Sequence, residues 1–222
     1  MFENRQAAGL LLANALKVLP ESEYGWRNSV VIALPRGGVP VACEVALAYN
    51  CPLDVLVSKK IRCPDNPELA MGAVSSGGCT VLSEQGWFAR QDYLQSQNRQ
   101  KEELMKHTRV LEEHWVQAAG ILSRPPVNGC RVILIDDGIA TGMTVLAAIQ
   151  DLKSRQVGQI VLAIPVVPAD TYGRLRTVCN QVFALFIPKD FTSVGQWYRD
   201  FHQVEDAEVV ASLRRVADRR LH

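Results

Sequence analysis

The sequence predicts an α/β fold, a parallel β-sheet flanked by helices, with a long helical insertion. Three observations predict it. Short β-branched runs alternate with helix-like stretches, the pattern of βαβ units. Several runs are continuously apolar rather than alternating, which calls for helices on both faces of the sheet. The stretch 89–119 is rich in Gln, Glu, Lys and Arg and carries no strand signal.

The elements follow in order. The opening MFENRQAAGLLLANAL has an apolar LLL but no basic leader, so it reads as an amphipathic helix. No apolar run reaches the roughly 18 residues of a membrane span, and no membrane partner is expected. Strands are expected at VVIAL (30–34), DVLVS (54–58), RVILID (131–136), IVLAIPV (160–166) and VFALFIP (182–188). Helices are expected over 40–49, 144–155, 170–178 and 206–220, with Pro40 suited to a first turn because its missing N–H had no partner there. Lys59, Lys60 and Arg62 fall in a proline-containing loop after the second strand. The segment 89–119 reads as one helix, with Leu104, Leu111 and Trp115 near helical spacing and its charges a solvated face. SRPPVNG (123–129) marks the loop that separates it from the next strand. With a core over about 28–190 and the insertion over about 84–122, residues 1–222 read as one domain.

Composition narrows the function classes. Net charge is +1, from 24 basic and 23 acidic residues, so no global field favours nucleic acid or an anionic membrane, and a polyanion must be held locally. Six cysteines lie scattered without a C-x-x-C pair, fitting neither a zinc site nor a disulfide framework and pointing to a reducing cytoplasm. His107 and His114 fall seven apart on the long helix; exposed or packed side chains are a better reading than a metal pair. No residue is assigned to a metal site of the protein's own.

Two loops carry the chemistry. In VILIDDGIATGMT (132–144) a strand runs into Asp136 and Asp137, then a glycine-bearing turn with Thr141 and Thr144 near the next helix start. Free amides, two hydroxyls and the positive end of a helix dipole would converge there on a phosphomonoester, without any lysine. The acids upstream suit sugar hydroxyls, so a sugar phosphate satisfies both halves. An ordinary strand-turn-helix connection remains the alternative. The second loop, ALPRGGVPVA (33–42), offers the forked guanidinium of Arg36 and two glycines, Gly37 and Gly38, that let backbone N–H groups approach an anion. Alone, R-G-G is also a plain βα turn. Together they say more, because the carboxyl ends of neighbouring parallel strands face one crevice.

At these residues the sequence resembles the type I phosphoribosyltransferase family. VILIDDGIATGMT resembles its 5-phosphoribosyl pyrophosphate (PRPP) motif and LPRGG its pyrophosphate loop, with SKKIRCPDNPELAMGAV and PKDFTSVGQWYRDF in support. The resemblance implies a Rossmann-like parallel sheet with a small carboxyl-terminal hood, over about 186–203, and a homodimer. It implies Mg²⁺, bound mainly through PRPP or pyrophosphate, and displacement of pyrophosphate by a ring nitrogen. Asp136 and Asp137 would hold the ribose hydroxyls; Gly138, Ala140, Thr141, Gly142, Met143 and Thr144 would form the 5′-phosphate loop; Arg36, Gly37 and Gly38 would bind pyrophosphate. A cation of the mobile loop, Lys60 or Arg62, would act on the leaving group. The carboxylates are expected to face solvent at the strand end.

The pattern departs in one place. Family members acting on 6-oxopurines carry an aspartate in mid-loop, and here that position is Ala140, which argues against hypoxanthine or guanine by that mechanism and leaves adenine-like, pyrimidine and unusual acceptors open, with a nitrogenous base or nucleotide as the expected partner. Acceptor contacts are expected in the hood, from Phe191, Gln196, Trp197 and Tyr198. Two other readings stay open: a PRPP- or nucleotide-sensing regulator or RNA-binding protein on the same pocket, and a magnesium-dependent phosphatase, which lacks a placed nucleophile.

Overall fold

The computed structural model describes residues 1–18, 25–63, 66–83 and 91–220, with the backbone alone for 66–69 and 91–97. Five strands, β1 (Ser29–Ala33), β2 (Leu53–Val55), β6 (Arg131–Ile135), β7 (Gln159–Val166) and β8 (Gln181–Phe186), form one parallel sheet in the order β2-β1-β6-β7-β8. Both faces are covered, which is why these strands are largely apolar. Successive side chains alternate between faces. Val31, Ala33, Ile133 and Ile135 join α1 (Arg5–Ala15), α2 (Gly38–Tyr49) and α6 (Asp206–Arg220) in one core. Val30, Ile32, Val132 and Leu134 join α4 (Met143–Ser154) and α5 (Ala169–Leu175) in the other. No described helix is long and apolar enough to cross a membrane.

The long helix, α3, runs over Gln91–Ala118; the expected start of the insertion, 84–90, lies outside the described residues. Its face is less solvated than expected. Thr108, Glu112, Trp115 and Val116 are buried, the spacing of one helical stripe. Glu112 accepts from the Val57 N–H and from Ser76 Oγ at 2.5 Å. Arg124 bridges it to Asp54, with Nη1 2.8 Å from Glu112 Oε2 and Nε 2.8 Å from Asp54 Oδ2. A buried carboxylate persists where a cation and hydrogen bonds compensate its desolvation. His107 and His114 are exposed.

A second sheet corrects the expectation of a loop after β2. β3 (Ser58–Cys63), β4 (Asn66–Ser75) and β5 (Thr80–Leu82) form an antiparallel ribbon in which Ile61 pairs with Gly72 and Gly72 with Leu82. Met71, Ala73, Val74 and Ile61 are buried, so the ribbon has an apolar side to set against α3 and α4. The Gly77 N–H donates to Asp151 Oδ2 on α4 at 2.9 Å. Pro64 and Asp65 lie outside the described residues.

Candidate active site

β1 and β6 are neighbours with Ala33 beside Ile135, so the segments leaving their carboxyl ends meet. The Leu34 N–H donates to the Ile135 carbonyl at 2.8 Å, binding the two strand ends together. Beyond them Gly37 and Gly38 lie against the acidic pair. A β-carbon on Gly37 would fall 2.1 Å from Asp137 Oδ2, and one on Gly38 would fall 2.8 Å from the Ile135 carbonyl and 3.0 Å from Asp136 Cα. Only residues without a side chain fit between the loops.

The acids do not face open solvent as expected. Asp136 and Asp137 are half-buried. Asp136 Oδ1 accepts from the Asp137 N–H at 2.9 Å, and burial, then the neighbouring Asp137 charge, hold its carboxyl well above the usual carboxylate range. Burial raises Asp137 too, while Arg5 opposes the shift. Arg5 escaped the sequence reading. Its Nε lies 2.7 Å from Asp137 Oδ2, its Nη1 donates to the His202 carbonyl at 2.7 Å, and its guanidinium carbon sits 3.9 Å from the centre of the Phe201 ring. The only signal for it was a lone cation in an otherwise apolar and amide-bearing amino-terminal helix, which carries little information.

The glycine-bearing loop is fastened from both sides. The Ile139 N–H donates to the Val166 carbonyl at 3.0 Å, Thr171 Oγ1 to the Ala140 carbonyl at 2.8 Å, and Arg174 Nη2 to the Thr141 carbonyl at 3.2 Å. Gly142, at φ 78°, turns the chain into α4 in a conformation that favours glycine. Ala140 and Thr141 are exposed, and Met143 and Thr144 are partly so at the first turn of α4, where amides have no carbonyl four residues back. Arg174, also missed by the sequence reading, adds a cation at the loop's edge.

Arg36 is engaged with the start of α6 rather than with Asp136 or Asp137. Its Nη1 lies 3.3 Å from the Val204 carbonyl, 3.6 Å from Glu205 and 3.7 Å from Asp206. Exposed pairs at such distances contribute about 0–1 kcal/mol, so redirecting this side chain to an anion costs little. Lys60 and Arg62 are exposed on β3 on either side of buried Ile61, on a strand rather than in the loop expected, with a register shift between Ile61 and Arg62.

The segment read as a hood is joined to the amino-terminal residues. The Phe2 N–H donates to the Trp197 carbonyl at 2.7 Å, and the N–H groups of Arg199 and Asp200 donate back to Phe2 and Glu3 at 2.9 Å. Tyr198, expected as a stacking surface, is instead buried against Phe2 and Phe201, with ring centres 5.1 Å apart in each pair, and its hydroxyl donates to the Asp137 carbonyl at 2.5 Å. Burial pushes that phenol up. Trp197 stacks on Phe186 at 5.4 Å, Phe191 is half-buried and Gln196 exposed. Val194 fills the hollow left by Gly138, where a β-carbon would lie 2.4 Å from its Cγ1. A cavity of about 310 Å³ is lined by Arg5, Glu44, His202, Glu208 and Arg215 among others; its lining includes Arg5 but neither Asp136, Asp137, Gly37 nor Gly38.

A family model for the phosphoribosyl transferase domain matches residues 1–199. The chain belongs to this family. Proteins from two strains of Mycobacterium tuberculosis, each named "Putative phosphoribosyl transferase", are 38% identical to it over 215 residues, 97% of this chain. The match takes in 47% of their length, so the chain spans about half the length of the curated relatives it matches. The crystal structure of TT1426 from Thermus thermophilus is similar over 96% of this chain and 98% of that one, with 36% identity and a TM-score of 0.78. The parallel sheet flanked by helices is the family's fold.

Proposed function

We propose that the chain transfers 5-phosphoribose from PRPP to a nitrogenous base or similar nitrogen acceptor, with release of pyrophosphate. One observation carries this reading: the glycines of the R-G-G loop abut the two aspartates, which supports a pyrophosphate loop lying beside a diol-binding pair, with the 138–144 loop following directly in sequence. The 5′-phosphate would take the amides and hydroxyls of 138–144, and the ribose hydroxyls would donate to Asp136 and Asp137. As the anomeric C–O bond lengthens, positive charge grows on the ribose beside these carboxylates. Negative charge grows on pyrophosphate, which the Gly37 and Gly38 loop would hold, with Arg36 redirected to it and Lys60 or Arg62 reaching it; groups that meet charge where it develops lower the barrier. The acceptor's nitrogen lone pair forms the new C–N bond, and its proton leaves to solvent, since Ala140 offers no base.

The reading includes an ion carried on the substrate's own oxygens. Mg²⁺ bound in that way supplies charge neutralisation for pyrophosphate.

The test is calorimetry with PRPP and Mg²⁺, followed by pyrophosphate release across a panel of nitrogenous bases. Saturable PRPP association and release with at least one base are expected. No association with PRPP or with any nucleoside monophosphate overturns the reading, while PRPP binding with silence across the panel replaces it with the sensing role.

A further inference from the structure

The acidic pair has a partner that comes from outside every loop so far given a role. Arg5 opens α1, where Asn4 caps the helix by accepting the Ala7 N–H at 2.8 Å. That helix start is fixed to the hood segment by the backbone pairing of Phe2 and Glu3 with 197–200. From this base the guanidinium, 9% exposed, makes three contacts at once: the Asp137 carboxylate, the His202 carbonyl and the face of Phe201. A planar fork with a stacked face fixes orientation as well as charge.

We propose that Arg5 is the positioning residue for Asp137, locking the diol-binding acid to the segment at Phe201 and His202, so that the ribose end of the site is complete only while that segment is seated. The proposal rests on the PRPP reading above. It differs from a simple stabilising ion pair in what it leaves alone. The hydrogen bonds and ring contact of Arg5 go to Asp137, His202 and Phe201, and none goes to Gly37 or Gly38, so losing it should disturb recognition of the sugar and spare recognition of pyrophosphate.

The experiment titrates the whole chain with PRPP and, separately, with inorganic pyrophosphate, both with Mg²⁺. Arg5→Gln is expected to weaken PRPP binding by about tenfold or more, as misplacing a binding group does, while pyrophosphate affinity stays within about twofold. Arg5→Lys, which keeps charge without the fork, should recover part of the loss. Phe201→Leu, which keeps the ion pair but removes the ring, should lie between wild type and Arg5→Gln. The lysine and leucine variants carry the same test should Arg5→Gln fail to fold. Unchanged PRPP affinity, or an equal fall for both ligands, overturns the proposal. Failure of the wild-type chain to bind PRPP at all sinks the broader reading instead, and this inference with it.

Discussion

Gly37 and Asp137 meet with no room for a methyl group between them: a β-carbon at residue 37 would lie 2.1 Å from a carboxylate oxygen that Arg5 already holds at 2.7 Å. Two substitutions separate the kinds of crowding. Gly37→Ala presses on a side-chain end and should displace Asp137, weakening PRPP binding by about tenfold. Gly38→Ala presses on backbone, the Ile135 carbonyl and Asp136 Cα, and should cost about 1–3 kcal/mol of stability. Urea denaturation and PRPP calorimetry on both variants check the split; a Gly38→Ala protein as stable as wild type would contradict the packing.

Asp136 gives a pH dependence whose sign can be worked out. Burial and the Asp137 charge raise its carboxyl well above the ordinary aspartate value, so the folded chain keeps that proton to higher pH than the unfolded chain does. The associated stability is complete below the unfolded value and lost as pH rises through the raised one. Asp136→Asn removes this loss and is expected to gain about 0.5–2 kcal/mol at neutral pH, as relieved functional sites do. The gain should shrink as pH falls toward the unfolded value. Unfolding midpoints from acid to neutral pH check it, and Asp136→Asn should at the same time release pyrophosphate at least about tenfold more slowly.

The Tyr198 hydroxyl is the direct tie between the hood segment and the backbone of the acidic pair. Tyr198→Phe keeps the ring against Phe2 and Phe201 and removes one hydrogen bond, for an expected loss of about 1 kcal/mol. Thermal and urea melts measure it. A neutral outcome would mean that the Asp137 carbonyl finds water at no cost.

Arg124 compensates two buried acids, Asp54 and Glu112. Arg124→Met leaves both without a counter-charge, and the expected destabilisation is about 3 kcal/mol. Equilibrium unfolding would register it, and a change within about 0.5 kcal/mol, the range of an ordinary surface substitution, would show that α3 is held by its apolar stripe alone.

The parallel sheet was legible because burial on both faces leaves a plain mark, an unbroken apolar run such as 132–135, that few other structures produce. The two glycine loops were legible for a related reason: close approach of main chain to main chain demands glycine at fixed positions, and 37, 38 and 142 carry it. The antiparallel ribbon was not read, although SSGG at 75–78 separates two apolar runs. The signal was diluted by the exposed Lys59, Lys60 and Arg62 and by Gly72, which sits where the Val81 carbonyl would be 2.3 Å from a β-carbon. Glu112 looked like one more charge on a polar helix, because its burial depends on Arg124 twelve residues away. Arg5 is the plainest miss. Its partner is 132 residues distant, and no local pattern records a contact formed only when both segments fold.

The joint between Val194 and Gly138 suggests how this scaffold could be redirected. A valine methyl seated in the space a side chain would take means that position 194 and the Tyr198 anchor are packed against the loop proposed to hold the donor, although they lie in the segment expected to face the acceptor. Diversification aimed at new acceptors would leave 194 and 198 alone and vary Phe191 and Gln196, and would treat Trp197 as part of the packing around Phe2 and Phe186.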